Sequence, residues 1–279
     1  MPELPEVETI RRGLLKCVLH KKLVRIVKAE GSSSAFTPTE LIALRRFGKA
    51  LVMDFDDGWS LMIHLRMTGQ LIWVGKERFA GGHPSENFVA ELPNKQTRVI
   101  FEFEDGKLFF NDQRKFGFVK KMRTEEVEKD DFIKKLAKEP WQMAAGELYE
   151  KLQRHKKAPI KAMLLDQTII CGLGNIYADE ALYAAGIHPE TLAGNLSFDE
   201  VEKIILSACK VMDKSIAAGG STMATYVRPD GTRGDYLDKF AKVFHREGKP
   251  CERCGTEIVK IKVAGRGTHI CPKCQRKKV

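Results

Sequence analysis

The chain contains no run near the ~18 consecutive apolar residues that a membrane-crossing helix needs. Its first residues, MPELPEVETI, hold acids where a secretory leader carries bases ahead of an apolar stretch, so a mature, cytosolic chain is expected. No repeat or low-complexity segment stands out, which argues against a solenoid or a disordered linker. Acids are the scarcer charge: 37 Asp and Glu stand against 47 Lys and Arg, for a net charge of +10. That balance argues against a basic partner surface and favours a polyanion, nucleic acid first, because Lys and Arg neutralise phosphates and release counterions.

The bases are unevenly spread. Lys260 to Val279 holds seven Lys and Arg and no acid, and Lys151 to Met163 holds five and none. With 279 residues the chain has room for two domains and a buried core. Cysteine falls into two groups. Cys17, Cys171 and Cys209 lie among apolar residues and read as small buried hydrophobes, whereas Cys251, Cys254, Cys271 and Cys274 are regularly spaced.

Glu6 to Leu19 reads as an amphipathic helix with Val7, Ile10, Leu14 and Val18 on one face. Pro5 suits its first position, and Glu6 and Glu8 complement the positive end of its dipole. A strand-rich region follows, with hairpin turns at Asp57-Gly58 and Asp105-Gly106 and a long loop over Gly75 to Gln96; it predicts an antiparallel β-sandwich or barrel. From Thr124 the pattern turns helical, with a capping box at Ser197 and Glu200 and a stop at Gly219-Gly220. The fold class is therefore α+β: strands, then helices, then a small metal-stapled end.

That end carries CERC and CPKC, two C-x2-C pairs separated by 16 residues. Two such turns complete a tetrahedral four-sulfur shell for one Zn2+, and a shell filled by four thiolates leaves no open position for water, so the zinc is expected to be structural. Arg253 and Lys273 are expected to offset the thiolate charge. Between the pairs, EIVKIKVAGRGTHI reads as a β-hairpin with AGRG at its tip and Arg266 projecting outward, either to meet phosphate or as an ordinary solvated turn residue.

Taken together, MPELPEVETIRRGL, HLRMTGQL, DQRKFG, LLDQTIICGLGNIYADEALYAAGIHP and CERCG…AGRGTHICPKCQ resemble the formamidopyrimidine-DNA glycosylase family of bacterial base-excision enzymes, in order and over nearly the whole chain. The resemblance implies an N-terminal β-sandwich domain with its helix (1–135), a helix-two-turn-helix DNA-binding domain (136–220), a flexible lesion-recognition loop (221–240) and a four-cysteine zinc hairpin (241–279). It implies damaged double-stranded DNA as partner, held in the cleft between domains by a monomer with no obligate protein partner and no membrane contact.

It also turns the first residues into a site. Removal of Met1 would expose Pro2 as a secondary amine, and an α-amino group titrates near 8 against about 10.4 for Lys, leaving more of it unprotonated at neutral pH. By resemblance Pro2 is the nucleophile, Glu3 the general acid-base and Glu6 its support, with Lys49 beside the lesion. Met67, Arg114 and Phe116 match the residues that fill the void left by an everted base; without the resemblance Met67 and Phe116 read as core. Asn175 matches a phosphate contact at a helix start, or is only an N-cap. Lys161 and Arg266 match further contacts to DNA, while His64 and Asp112 read as hydrogen-bonded supports.

Two departures stand out. Ala224 replaces the family's usual Arg, and the usual VYGR before the cysteines is VFHR, with Phe244 and His245. Both bear on lesion recognition rather than on Pro2. The implied activity is a bifunctional glycosylase and AP lyase for oxidised purines. The alternatives are an endonuclease VIII-like enzyme for oxidised pyrimidines, whose opening is usually PEGPE rather than PELPE, and a non-catalytic zinc-dependent DNA-binding protein.

Overall fold

The computed structural model describes residues 1–28, 33–83, 90–220 and 239–277, the side chains of 33–37 excepted. Ala224 and most of the expected recognition loop lie outside the described residues. The chain divides into two compact units, Met1–Lys134 with Ala218–Asp235, and Lys135–Ala217 with Tyr236–Val279.

In the first unit, α1 (Leu4–Val18) starts two residues before the expected Glu6, and Pro5 is its second residue rather than its first. Val7, Ile10, Leu14 and Val18 are buried as their spacing predicts. Each such side chain contributes roughly 1.5–3 kcal/mol when fully buried. Among the described residues nine strands follow: β1 (Lys22–Lys28), β2 (Ser33–Phe47), β3 (Ala50–Phe55), β4 (Trp59–His64), β5 (Gly69–Val74), β6 (Arg78–Gly82), β7 (Thr97–Phe103), β8 (Gly106–Asp112) and β9 (Phe118–Arg123). They form one antiparallel sheet in the order β6-β5-β8-β7-β1-β2-β3-β4-β9.

The long strand β2 explains how one sheet gives two layers. It pairs with β1 over Ser33 to Glu40 and with β3 over Leu41 to Phe47. Side chains from both halves, such as Phe101 and Phe110 on one and Met53 and Ile63 on the other, share a core with α1.

The expected loop at Gly75 to Gln96 holds a strand, β6, paired with β5. Its Phe79 is fully buried. Glycines on both sides make the packing possible: a Cβ at Gly13 of α1 would lie 2.2 Å from Phe79, and one at Gly81 would lie 2.5 Å from Ile10. The period-2 signal in RFAGG is short and broken by those glycines, so the sequence hides the strand.

In the second unit the helices are α3 (Ala145–Arg154), α4 (Ile160–Leu165), α5 (Asn175–Ala185) and α6 (Phe198–Ala217); α2 (Asp131–Lys134) closes the first unit after a 3-10 turn. The helical reading of TEEVEKDDFIKKLAKE therefore breaks into fragments, because Asp130 turns its carboxylate onto the Phe132 N–H at 2.9 Å. The expected capping box is present: Glu200 N–H donates to Ser197 Oγ (3.3 Å) and Ser197 N–H to Glu200 Oε2 (3.0 Å). The C-terminal hairpin joins β10 (Val259–Val263) to β11 (Arg266–Ile270) through Ala264-Gly265, both at positive φ (50° and 75°), as the favoured two-residue hairpin turn requires. Among the described residues no helix is long and apolar enough to cross a membrane.

Candidate active site and zinc centre

The start of α1 is held by a reciprocal pair. Glu3, the N-cap, accepts the Glu6 N–H, and Glu6 Oε2 accepts the Glu3 N–H at 2.9 Å. This box fixes the backbone that leads out to residue 2, and both carboxylates are buried with Pro2. The α-amine belongs here to Met1 and stands one residue ahead of the Pro2 nitrogen. Burial pushes its pKa below the ordinary 8.0; Glu3 and Glu6 pull it back up and Lys49 pushes it down. An amine, two carboxylates and an ammonium therefore interact in one water-poor spot, which suits a nucleophile that must shed a proton.

Lys49 is brought there by the two-residue turn between β2 and β3, where Phe47 pairs with Ala50 and Gly48 takes φ 56°. That turn is tied to α1. Arg46 donates to Glu8 Oε2 (3.0 Å) and to the Gly48 carbonyl (3.1 Å). Glu8, expected only to complement the helix dipole, also takes hydrogen bonds from Arg11 (2.8 Å) and Arg12 (2.8 Å). Burial alone would raise its carboxyl, but the three arginines outweigh it and hold it at about 2. His64 is desolvated and faces the charges of Arg66 and Lys49, which push it down to about 3. It is neutral, and its Nδ1 accepts the Arg66 N–H at 3.0 Å, which assigns the ring proton to Nε2.

Asp112, at the end of β8, organises the expected void-filling residues. It accepts Thr68 Oγ–H, the Arg114 N–H (3.2 Å) and the Gly117 N–H (2.7 Å), while Thr68 Oγ1 also accepts the Arg114 N–H (3.0 Å). The Met67-Thr68 turn and the 113–117 loop are thus bound to one carboxylate. Phe116 is 55% exposed and lies beneath the Arg114 guanidinium, 4.8 Å from its ring centre. Met67 is half-buried. The core reading of Phe116 is excluded.

In the second unit α5 carries Asn175 as its first residue; the N-cap is Gly174, so Asn175 is not the cap. Its Nδ2 donates to the Gly267 carbonyl of the hairpin at 3.0 Å. The DNA contact expected of Lys161 is corrected: this side chain is wholly buried. Its ammonium lies 2.6 Å from Asp179 Oδ1, likewise buried, and donates to Thr268 Oγ1 (2.7 Å) and the Gly267 carbonyl (3.2 Å). Lys161 holds up the strand behind Arg266, which is exposed.

The four clustered cysteines fit a tetrahedral metal. Their Sγ atoms lie within 4.8 Å of one another, with Cys251–Cys274 at 3.9 Å and Cys254–Cys271 at 3.4 Å. Zn–S bonds of about 2.3 Å require S–S edges of about 3.8 Å. Tyr183 of α5 puts its hydroxyl 3.2 Å from Cys251 Sγ. Arg253, expected to offset thiolate charge, turns onto the end of α5, donating to the Tyr183 (3.0 Å) and Ala184 (3.2 Å) carbonyls.

Three families match in chain order: the formamidopyrimidine-DNA glycosylase N-terminal domain over residues 1–119, the formamidopyrimidine-DNA glycosylase H2TH domain over 136–227, and a zinc finger found in these glycosylases and in isoleucyl-tRNA synthetase over 248–276. The chain is 39% identical to the formamidopyrimidine-DNA glycosylase of Desulfitobacterium hafniense, covering 99% of this chain and 100% of that one. It is 40% identical to that of Exiguobacterium sibiricum over 99% of each.

The chain belongs to the formamidopyrimidine-DNA glycosylase family.

Among solved structures it is similar to the Lactococcus lactis family member in complex with abasic-site DNA (TM-score 0.86, 34% identity, 99% of this chain and 100% of that one). It is also similar to a MutM complex with DNA carrying carbocyclic 8-oxo-G (TM-score 0.84, 34% identity, 99% and 100%). The zinc-finger match and the sulfur geometry agree on one structural zinc held by Cys251, Cys254, Cys271 and Cys274.

Sequence reasoning missed Glu8, Asp179 and Glu180 as organising groups. The signal available for the last two was a pair of acids inside an apolar helix, NIYADEALYAA, where a charge is tolerated only if it is paired or hydrogen-bonded.

Proposed function

We propose that this enzyme of base-excision repair flips out and removes oxidised purines through a covalent intermediate on Pro2, then cleaves the strand. The observation that carries this reading is the capping box of Glu3 and Glu6, which holds two buried carboxylates and the buried Pro2 together at the start of α1. After Met1 is removed, the Pro2 nitrogen attacks C1′ of the damaged nucleotide. The glycosidic bond breaks and the base leaves with a proton; the C1′–O4′ bond then opens, O4′ taking a proton, to leave an iminium between C1′ and Pro2. The iminium draws electrons, so C2′ loses its proton and the 3′ phosphate departs; loss of a proton from C4′ then expels the 5′ phosphate.

Glu3 carries protons to and from the opened sugar and base. Glu6 acts through the capping box, keeping Glu3 and residue 2 aligned. Lys49, whose charge depresses the terminal amine of Met1, is placed to act in the same way on the Pro2 amine and to meet the DNA backbone. Met67, Arg114 and Phe116 fill the space left by the everted base, Arg114 meeting its orphaned partner. Asn175 and Arg266 bind phosphates, with Lys161 supporting the latter. We retain the division into a catalytic domain, a helix-two-turn-helix domain, a recognition loop and a zinc hairpin as our reading of the chain. The PELPE opening favours purines over the endonuclease VIII-like alternative.

Side-by-side excision rates on 8-oxoguanine and thymine glycol duplexes test the substrate class. Faster release of 8-oxoguanine is expected. Faster release of thymine glycol contradicts the purine reading, and binding without cleavage of either contradicts the enzyme.

A further inference from the structure

Among the described residues, five other than glycine hold a left-handed backbone: His20, Arg66, Lys115, His245 and Ala264. Such a conformation costs about 1–2 kcal/mol and persists where the surroundings impose it, often at functional sites. His20 lies in the turn after α1 and pairs with Glu40 at 2.9 Å. Three of the others adjoin residues assigned to DNA above: Arg66 precedes Met67, Lys115 separates Arg114 from Phe116, and Ala264 opens the turn ahead of Arg266. His245, at φ 57°, is strained in the same way and has no assignment.

Its surroundings are rigid. The buried Glu180 carboxylate accepts the N–H groups of Lys242 (2.9 Å), Val243 (2.9 Å) and Phe244 (2.8 Å), which docks the chain just before His245 onto α5. The His245 ring meets Phe244 edge-on at 4.6 Å and lies 5.6 Å from the His269 ring. His269 is fixed in turn, its N–H donating to Asp179 at 2.9 Å. Lys260 stands opposite His269 across the hairpin, and its stem passes over Gly267, whose carbonyl accepts the Asn175 amide. His245 is nonetheless exposed. An exposed imidazole thus stands by the strand that carries Arg266 and receives Asn175.

His269 of β11 and Lys260 of β10 face the His245 ring, and Asp179 of α5 beneath His269 is neutralised by Lys161 of α4. Lys242 and Arg246, its neighbours along the chain, are both paired with Glu252. Burial first, then the charges of His269 and Lys260, hold the imidazole below the usual histidine range.

We propose that His245 is a further DNA-contacting residue, its imidazole binding a backbone phosphate beside those met by Asn175 and Arg266. The inference rests on the DNA-binding reading above. In free protein the ring is neutral at neutral pH; a phosphate supplies the anion that the lysine and histidine neighbours lack, so DNA binding takes up a proton there.

The test compares the zinc-loaded full chain with its His245→Asn variant on a duplex carrying an uncleavable tetrahydrofuran abasic site. Asn tolerates the left-handed backbone and does not titrate. Affinities are read by fluorescence anisotropy at pH 6 and pH 8 over a salt series. The variant is expected to bind about 5- to 10-fold more weakly at pH 6, to approach the wild type at pH 8, and to lose about 0.9 from its salt slope at pH 6. Equal affinities and equal slopes at both pH values overturn the proposal while leaving the DNA reading intact. A wild type that does not bind the duplex overturns the DNA reading itself, and this inference with it.

Discussion

Arg46 joins Glu8 to the hairpin that bears Lys49: one edge of its guanidinium lies 3.0 Å from the Glu8 carboxylate and another 3.1 Å from the Gly48 carbonyl. Glu8 is thus the link that sets the height of Lys49 against the start of α1. Glu8→Gln removes the charge that three arginines share, and is expected to lower both stability and the rate of iminium formation. The sign with pH follows from its depressed carboxyl. The stability that Glu8 contributes is complete above the unfolded value near 4.5 and is lost as pH falls towards about 2. Thermal melts should therefore show the gap between wild type and variant closing over that window, and a gap independent of pH contradicts the account.

His64 makes the opposite use of burial. Because it stays neutral down to about 3 in the folded chain, unfolding takes up a proton between the ordinary 6.5 and about 3. The wild type should lose stability between pH 6.5 and 3 relative to His64→Gln, with melts in matched buffers as the measurement.

Phe116 is an exposed aromatic, which on the proposed reading is held for use rather than for packing. Phe116→Ala should change stability by no more than about 0.5 kcal/mol in urea unfolding. Lesion excision from duplex DNA should fall at least tenfold, because the wedge that supports base eversion is gone. A large stability loss returns Phe116 to the core.

Lys161 and Asp179 should behave as a buried pair. Lys161→Met strands the Asp179 carboxylate and is expected to cost about 3–5 kcal/mol, whereas Lys161→Met with Asp179→Asn should recover a large part of it. Denaturant titrations of the two variants decide this. The double variant should still bind DNA more weakly, since Gly267 and Thr268 lose the ammonium that holds them behind Arg266.

Zinc should be stoichiometric and structural. Elemental analysis is expected to give one zinc per chain, and chelation should lower the melting temperature and weaken DNA binding together. DNA binding undiminished after complete chelation contradicts a hairpin that depends on the metal.

Much of this was legible in the sequence, because local rules dominate in those places. The α1 face, the Ser197–Glu200 box, the hairpin turns and the two C-x2-C pairs each follow from spacing within a few residues. What stayed hidden depends on partners far along the chain. The strand β6 exists because Gly13 and Gly81 let it approach α1, and neither glycine announces that at its own position. Lys161 lies in a basic run that reads as DNA-facing, and only the distant Asp179 and Thr268 make burial of its ammonium tolerable. Glu8 looked like a helix-end acid because Arg46 is 38 residues away.

The most direct test of the central claim is borohydride trapping on an 8-oxoguanine duplex, with the adduct located by peptide mass mapping and the Met1-processed state checked by intact mass. The account predicts one covalent protein–DNA adduct, on the Pro2 nitrogen, lost when Met1 is retained or the amine is blocked. An adduct on Lys49 or another lysine, or trapping undiminished with a blocked terminus, contradicts it.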